Sequence, residues 1–134
     1  MESCILGTKK TLPHLLIVAG PTASGKSKLA LEVADRLDGI VINADSMQVY
    51  REIHVLTARP SLEDEGRVSH RLYGVLSAKE RCTVGLWRKL AVREIEQAWN
   101  DGKLPVVVGG TGLYLKAIIG GISKIPEVSP DIRK

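Results

Sequence analysis

Leu15-Leu16-Ile17-Val18-Ala19-Gly20-Pro21-Thr22-Ala23-Ser24-Gly25-Lys26-Ser27 is the stretch that decides the fold. Its first four residues form a continuous apolar run, the profile of a strand buried on both faces. From Gly20 to Ser27 the chain fits G-x-x-x-x-G-K-[ST], a loop whose glycines let backbone N–H groups turn inward around phosphate oxygens. Lys26 brings a point charge to the phosphates, and the Ser27 hydroxyl is placed to ligate Mg²⁺. From Lys26 the period changes: Leu29, Val33 and Leu37 recur every four residues beside Ala30 and Ala34, which predicts an amphipathic helix ending at Asp38-Gly39. Strand, glycine-rich loop and helix in that order form a phosphate-binding unit.

Outward from this unit the pattern repeats. Residues 40–45, Ile-Val-Ile-Asn-Ala-Asp, read as a second strand, β-branched and then polar at its carboxyl end. From Gln48 to about Lys79 the polarity is mixed, which predicts loops with short helices, and Glu63-Asp64-Glu65 reads as a solvated loop. Val84, Trp87, Ala91, Ile95 and Ala98 mark one face of a long helix with Thr83 as its N-cap, ending at Asn100-Asp101-Gly102. Residues 104–108 read as a third buried strand, and Gly109-Gly110-Thr111-Gly112 leads into an apolar helix over 113–119. This alternation predicts the α/β class, a P-loop NTPase-like three-layer arrangement with a parallel sheet flanked by helices. Ligands of such sheets bind beyond the carboxyl ends of the strands. All three predicted ends carry polar or glycine-rich sequence.

Composition bounds the function. The chain has 134 residues, room for about one domain, and a net charge of +4, which suits an anionic partner without proving a nucleic acid. Hydrophobic residues are 44% and there is no Phe, so the core must rest on Leu, Ile, Val and Ala. Cys4 and Cys82 form no metal or disulfide motif, no apolar run approaches a membrane span, and residues 1–14 read as a tail without a secretory signal. These features point to the cytoplasm and to a protein without membrane association.

The phosphate loop leaves its ligand open. Nucleotide hydrolases carry an Asp at the end of another apolar strand to hold Mg²⁺, but the run over 106–108 ends in Gly-Gly-Thr. The nearest acid at a strand end is Asp45, either metal-associated, a base facing the phosphate loop, or an ordinary turn residue. Trp87 and Trp99 read as packing residues, and His14 and His70 as structural or surface histidines. Tyr50 and Tyr114 divide evenly between pocket lining and packing.

Gly-Pro-Thr-Ala-Ser-Gly-Lys-Ser at 20–27, Asp-Ser-Met-Gln-Val-Tyr at 45–50, Thr-Ala-Arg-Pro at 57–60 and Val-Gly-Gly-Thr-Gly-Leu-Tyr-Leu-Lys-Ala at 108–117 occur together in one order. In these motifs the chain resembles the tRNA dimethylallyltransferases, also called tRNA isopentenyltransferases, over residues 15–133. The resemblance implies transfer of a prenyl group from dimethylallyl diphosphate to the exocyclic N6 of adenosine 37 in tRNA. It implies that Gly20, Pro21, Thr22, Ala23, Ser24, Gly25, Lys26 and Ser27 hold the diphosphate. Asp45 would then accept a proton from, or hydrogen-bond, the attacking amine, and Thr22 would sit at the reacting diphosphate–allyl bond. Asp45, Ser46, Met47 and Gln48 would border the flipped adenine, with Thr111 and Arg133 contacting tRNA. Mg²⁺, bound through Ser27, would be the cofactor, and the expected state is a monomer.

Two departures stand out. The family often has Gly where this chain has Leu56 and Pro where it has Ser69, and the first puts the local turn in doubt. Ser129-Pro130-Asp131 has the pattern of a helix start with three residues after it, so residues 15–134 are expected to be a catalytic core incomplete at its C-terminus and weak or inactive alone. Other readings are an adenine-nucleotide (cytokinin-type) isopentenyltransferase, a small-molecule P-loop kinase using ATP, and a non-catalytic fragment binding diphosphate or tRNA.

Overall fold

The computed structural model describes residues 14–21, 25–56 and 59–120. Thr22, Ala23, Ser24, Thr57, Ala58 and Arg133, together with residues 1–13 of the tail and the helix-start pattern at 129–131, lie outside them. Four parallel strands form one sheet: β1 (Leu16–Ala19), β2 (Gly39–Asn43), β3 (His70–Arg71) and β4 (Leu104–Gly109). Their order is β1-β4-β2-β3, so the two strands buried on both faces, β2 and β4, lie at the centre. Helix α1 (Lys26–Arg36) covers one face, while α3 (Val84–Asn100) and α4 (Gly112–Ile119) cover the other. A 3₁₀ helix (Arg51–Leu56) and the short helix α2 (Leu62–Arg67) join β2 to β3. The layers are those of the predicted α/β class.

The predicted elements recur with four corrections. The buried face of α1 is Ala30, Leu31 and Ala34, whereas Leu29 and Leu37 are 53% and 59% exposed. The alanines bring the helix down onto Val41, Val106 and Val108, and the fourfold leucine spacing marks the flank of that contact. Asp38, not Gly39, takes the left-handed turn after α1, with φ of 53°. Gly39 belongs to β2, where a Cβ would stand 2.6 Å from the Leu104 carbonyl oxygen. The second strand ends at Asn43, two residues earlier than predicted.

The acidic run Glu63-Asp64-Glu65 is helical rather than loop. Ser61 accepts from the Asp64 N–H while the Asp64 carboxylate accepts from the Ser61 N–H, a complete capping box at the start of α2. Three acids in that first turn also oppose the positive end of the helix dipole. The two-residue strand β3 pairs Val41 with His70 and has no periodicity by which sequence could announce it. The long helix behaves as predicted: the Thr83 hydroxyl accepts from the Leu86 N–H, and Trp87, Ala91, Ile95 and Ala98 are buried.

One glycine sets the spacing at the sheet centre. A Cβ on Gly109 would lie 2.4 Å from the carbonyl carbon and oxygen of Ala44, both backbone atoms that cannot swing aside. Gly109→Ala is therefore expected to destabilise the fold by about 1–3 kcal/mol, the usual range for overpacking. Urea unfolding followed by circular dichroism measures this, and an unchanged midpoint would refute the contact.

Candidate functional site

The parallel registers level three strand ends. Ala19 pairs with Gly109 and Asn43 with Val108, so Gly20, Gly110 and Asp45 follow on neighbouring strands at about the same height. A Cβ on Gly110 would meet the Gly20 carbonyl oxygen at 2.9 Å and the Lys26 Nζ at 3.8 Å. Gly110 therefore lies directly against the phosphate loop. Gly25 precedes α1 with φ of 82°, a left-handed conformation natural to glycine. Lys26 folds back so that its ammonium donates to the Pro21 carbonyl at 3.1 Å. A cation beside a helix N-terminus can attract an anionic group.

The loop after β2 is tied into the same edge. The Asp45 Oδ1 accepts from the N–H groups of Met47 at 2.8 Å and Gln48 at 3.4 Å. The Thr111 hydroxyl accepts from the Ser46 N–H at 3.0 Å, joining the ends of β2 and β4. Met47 is exposed, while Gln48 is half-buried and its Oε1 has no hydrogen-bond partner. Of the residues proposed from sequence, Gly20, Gly25, Lys26, Asp45, Ser46, Met47, Gln48 and Thr111 thus gather along one sheet edge. Ser27 stands exposed in the first turn of α1.

Several residues near this edge escaped the sequence reading. Arg59 donates through its guanidinium to the carbonyl oxygens of Gln48 and Tyr50. It packs so closely over Gly74 that a Cβ there would fall 2.5 Å from its Nη1. Both carbonyl bonds come from its Nη2 group. Tyr73 lies close enough to Asp45 and Arg59 to feel both charges. A cavity of about 410 Å³ lies beside this group, with Ser27, Arg59 and Tyr73 among its polar lining and Leu31, Val41 and Pro60 among its apolar lining. Arg59 lay within the motif at 57–60, and the side chain of Asn43, buried at the end of β2, gave a signal of its own: a polar residue closing a β-branched run.

The open question on the tyrosines resolves toward packing for Tyr114. Its ring stacks on Trp87 with centroids 4.7 Å apart, and its hydroxyl donates to the Cys82 carbonyl. The Tyr50 hydroxyl accepts from the Cys82 N–H. His70 bonds the Val68 carbonyl through Nδ1 and Trp99 donates to the His14 carbonyl, both structural uses. Among the described residues, no helix is long and apolar enough to cross a membrane.

Comparison with known proteins now bears on these residues. Residues 48–134 match the family model described as IPP transferase. The chain belongs to the IPP transferase family. It is 57% identical over 119 residues to a tRNA dimethylallyltransferase of Rhodospirillum rubrum, a match covering 89% of this chain and 36% of that protein. A tRNA dimethylallyltransferase of Granulibacter bethesdensis is 55% identical, with 89% and 37% covered. Among solved structures, the full-length tRNA isopentenylpyrophosphate transferase of Bacillus halodurans superposes with a TM-score of 0.78 at 36% identity, covering 91% of this chain and 41% of that one. A eukaryotic dimethylallyltransferase acting on tRNA gives 0.79 at 30% identity, covering 86% and 28%. The chain thus spans a little over a third of the length of these curated relatives.

Burial pushes the phenols of both Tyr73 and Tyr114 well above their ordinary range; the Asp45 charge adds to this at Tyr73, and the bond to Cys82 adds to it at Tyr114. A phenol raised in the folded state binds its proton longer there than in the unfolded chain. Stability is then unaffected by these groups below the unfolded phenol value of about 10 and declines as pH rises above it. Urea midpoints measured from pH 8 to 11 should fall above pH 10, and Tyr73→Phe should flatten that fall. Equal slopes in both proteins would assign the decline elsewhere.

Proposed function

We propose that the chain carries the catalytic edge of a tRNA prenyltransferase, which moves a dimethylallyl group from dimethylallyl diphosphate to N6 of adenosine 37 beside the anticodon. The observation that carries the reading is the levelling of Asp45 with Gly20 and Gly110, which brings a carboxylate and the glycine-rich loop to the same end of the sheet, on either side of the end of β4. The high identity to relatives named tRNA dimethylallyltransferase supports the choice of reaction.

The chemistry then follows from the residues. The bond between the allyl C1 and the bridging diphosphate oxygen breaks, the bond between N6 and C1 forms, and diphosphate leaves with the electron pair. One N6 proton passes to the Asp45 carboxylate, a positioned base of the kind an exocyclic amine requires. Lys26, the loop amides and the N-terminus of α1 stabilise charge on the departing diphosphate. By the resemblance to the family, Thr22 acts at the reacting diphosphate–allyl bond. Gln48 has an unpaired Oε1 that suits the exocyclic amine of the adenine, and Ser46, Met47, Thr111 and Arg133 complete the RNA contact. The mixed cavity beside Ser27 suits a ligand with a charged head and a small apolar group.

Magnesium fits this arrangement. The ion takes few protein oxygens and keeps water and substrate phosphates, and the exposed Ser27 hydroxyl is such an oxygen. Bound there, Mg²⁺ would neutralise charge on the diphosphate. We place the protein in the cytoplasm as a monomer.

The test is a single-turnover assay with labelled dimethylallyl diphosphate and an anticodon stem–loop bearing adenosine 37. Label is expected on the adenosine loop and absent from a guanosine loop; label on AMP but not RNA would overturn the tRNA assignment, and phosphate transfer from ATP would replace it with a kinase. Asp45→Asn is expected to slow transfer by about 10²–10⁴-fold, the range for a lost general base, while binding inorganic diphosphate normally. Lys26→Ala should instead weaken diphosphate binding by about tenfold or more, as removal of a charge-assisted contact does, measured by calorimetry.

A further inference from the structure

We infer that Asn43 is a positioning residue for Asp45: its side-chain amide fixes the turn that presents the carboxylate at the sheet edge. This rests on the role of Asp45 proposed above. Asn43 is the one fully buried polar or charged residue among the described residues. It closes β2 at the middle of the sheet, where an unpaired amide would be costly to bury. A polar amide is kept in such a place only when its bonds are made.

All of its groups are engaged. Oδ1 accepts from the Asp45 N–H at 2.9 Å, and Nδ2 donates to the Asp45 carbonyl at 3.0 Å. The side chain therefore grips both polar groups of the Asp45 backbone. The second Nδ2 proton goes to the Leu72 carbonyl at 3.0 Å. From the other face of the sheet, the Trp87 indole N–H donates to the main-chain carbonyl of Asn43 at 2.8 Å. One residue thus connects α3, the end of β2 and the loop after β3.

The Leu72 bond has a further consequence. Leu72 is buried with φ of 66°, a conformation uncommon for a leucine and held by its surroundings. The following loop returns to the turn of Asp45, because the Gly74 N–H donates to the Gln48 carbonyl at 2.9 Å. Asn43 therefore sets the backbone of Asp45 directly and braces Gln48 through residues 72–74. The Asp45 Oδ1 is in turn held by the Met47 and Gln48 amides, so the direction of the carboxylate follows from where its backbone is fixed. Nothing in Asn43 needs to touch a substrate for this.

Three variants separate the contributions. Asn43→Ala removes every side-chain bond, Asn43→Asp keeps an acceptor for the Asp45 N–H but loses both donors, and Asn43→Ser keeps a hydroxyl acceptor in a smaller turn motif. Hydrogen exchange by NMR reads the turn. In Asn43→Ala the amides of Asp45 and Met47 should exchange at least about tenfold faster, as in a local opening, while β4 and α3 amides keep their protection. Asn43→Ser should restore part of that protection, and it carries the comparison should Asn43→Ala fail to fold.

Inorganic diphosphate should bind the variants within about twofold of the parent, since its loop is held by β1 and α1. Single-turnover prenyl transfer should fall by about 10²-fold, the scale of a slightly misplaced group. Unchanged exchange at Asp45 and Met47, or an equal rise throughout the sheet, would overturn the positioning role. So would faster exchange with transfer unaltered. Asp45→Asn tells the two readings apart: if it transfers normally, the proposed base is wrong, whereas the exchange result alone decides whether Asn43 holds the turn.

Discussion

The backbones of Gly109 and Ala44 touch at a distance that excludes even one methyl group, and the rest of the site depends on that contact. It draws the ends of β2 and β4 together, so the Ala44 N–H reaches the Val108 carbonyl at 2.7 Å and the Ser46 N–H reaches the Thr111 hydroxyl. Because β1 pairs with the other side of β4, the phosphate loop is drawn to the same line. Gly110, the next residue, again has no side chain and lies against Gly20 and Lys26. Two adjacent glycines thus let three strand ends converge where a side chain would hold them apart.

Around this edge the supports come from unlike sources. On one face, alanines on α1 allow close packing on valines of β2 and β4. On the other, Trp87 is fully buried, stacks on Tyr114 and donates its indole proton to Asn43. The large rings there fill space that a core without phenylalanine would otherwise fill with aliphatic side chains. Arg59 and Gly74 hold the far side of the turn through the Gln48 and Tyr50 carbonyls. The result is a rigid frame around a short loop that is itself only partly buried.

This arrangement places charge with little rearrangement left to do. The Lys26 ammonium already lies against the phosphate loop, and the Asp45 carboxylate already has two amide donors. In the proposed reaction both charges would act on atoms whose charge changes, so holding them fixed beforehand would lower the cost of reorganisation. The ends of parallel strands supply that fixity, since their positions are set by the hydrogen-bond ladder rather than by a free loop.

Strands β1, β2 and β4, helices α1, α3 and α4, the Thr83 cap and the buried stripe of α3 were all legible in sequence, because each depends on neighbours within a few residues. So were the residues that gather at the sheet edge, carried by the motifs at 20–27, 45–50 and 108–117. The capping box of α2 was written in Ser61 and Asp64 as well, but the acidic run hid it. Other features depend on residues far apart in the chain. The buried face of α1 was decided by which side meets the valines of β2 and β4, and β3 exists only because Val41 offers it a partner. The bonds from Asn43 to Leu72 and from Trp87 to Asn43 span 29 and 44 residues. Local pattern determined most of the elements and the end of the sheet at which the motif residues gather; only tertiary packing decided which buried groups hold the Asp45 turn, because a hydrogen bond across the fold leaves no period in the sequence.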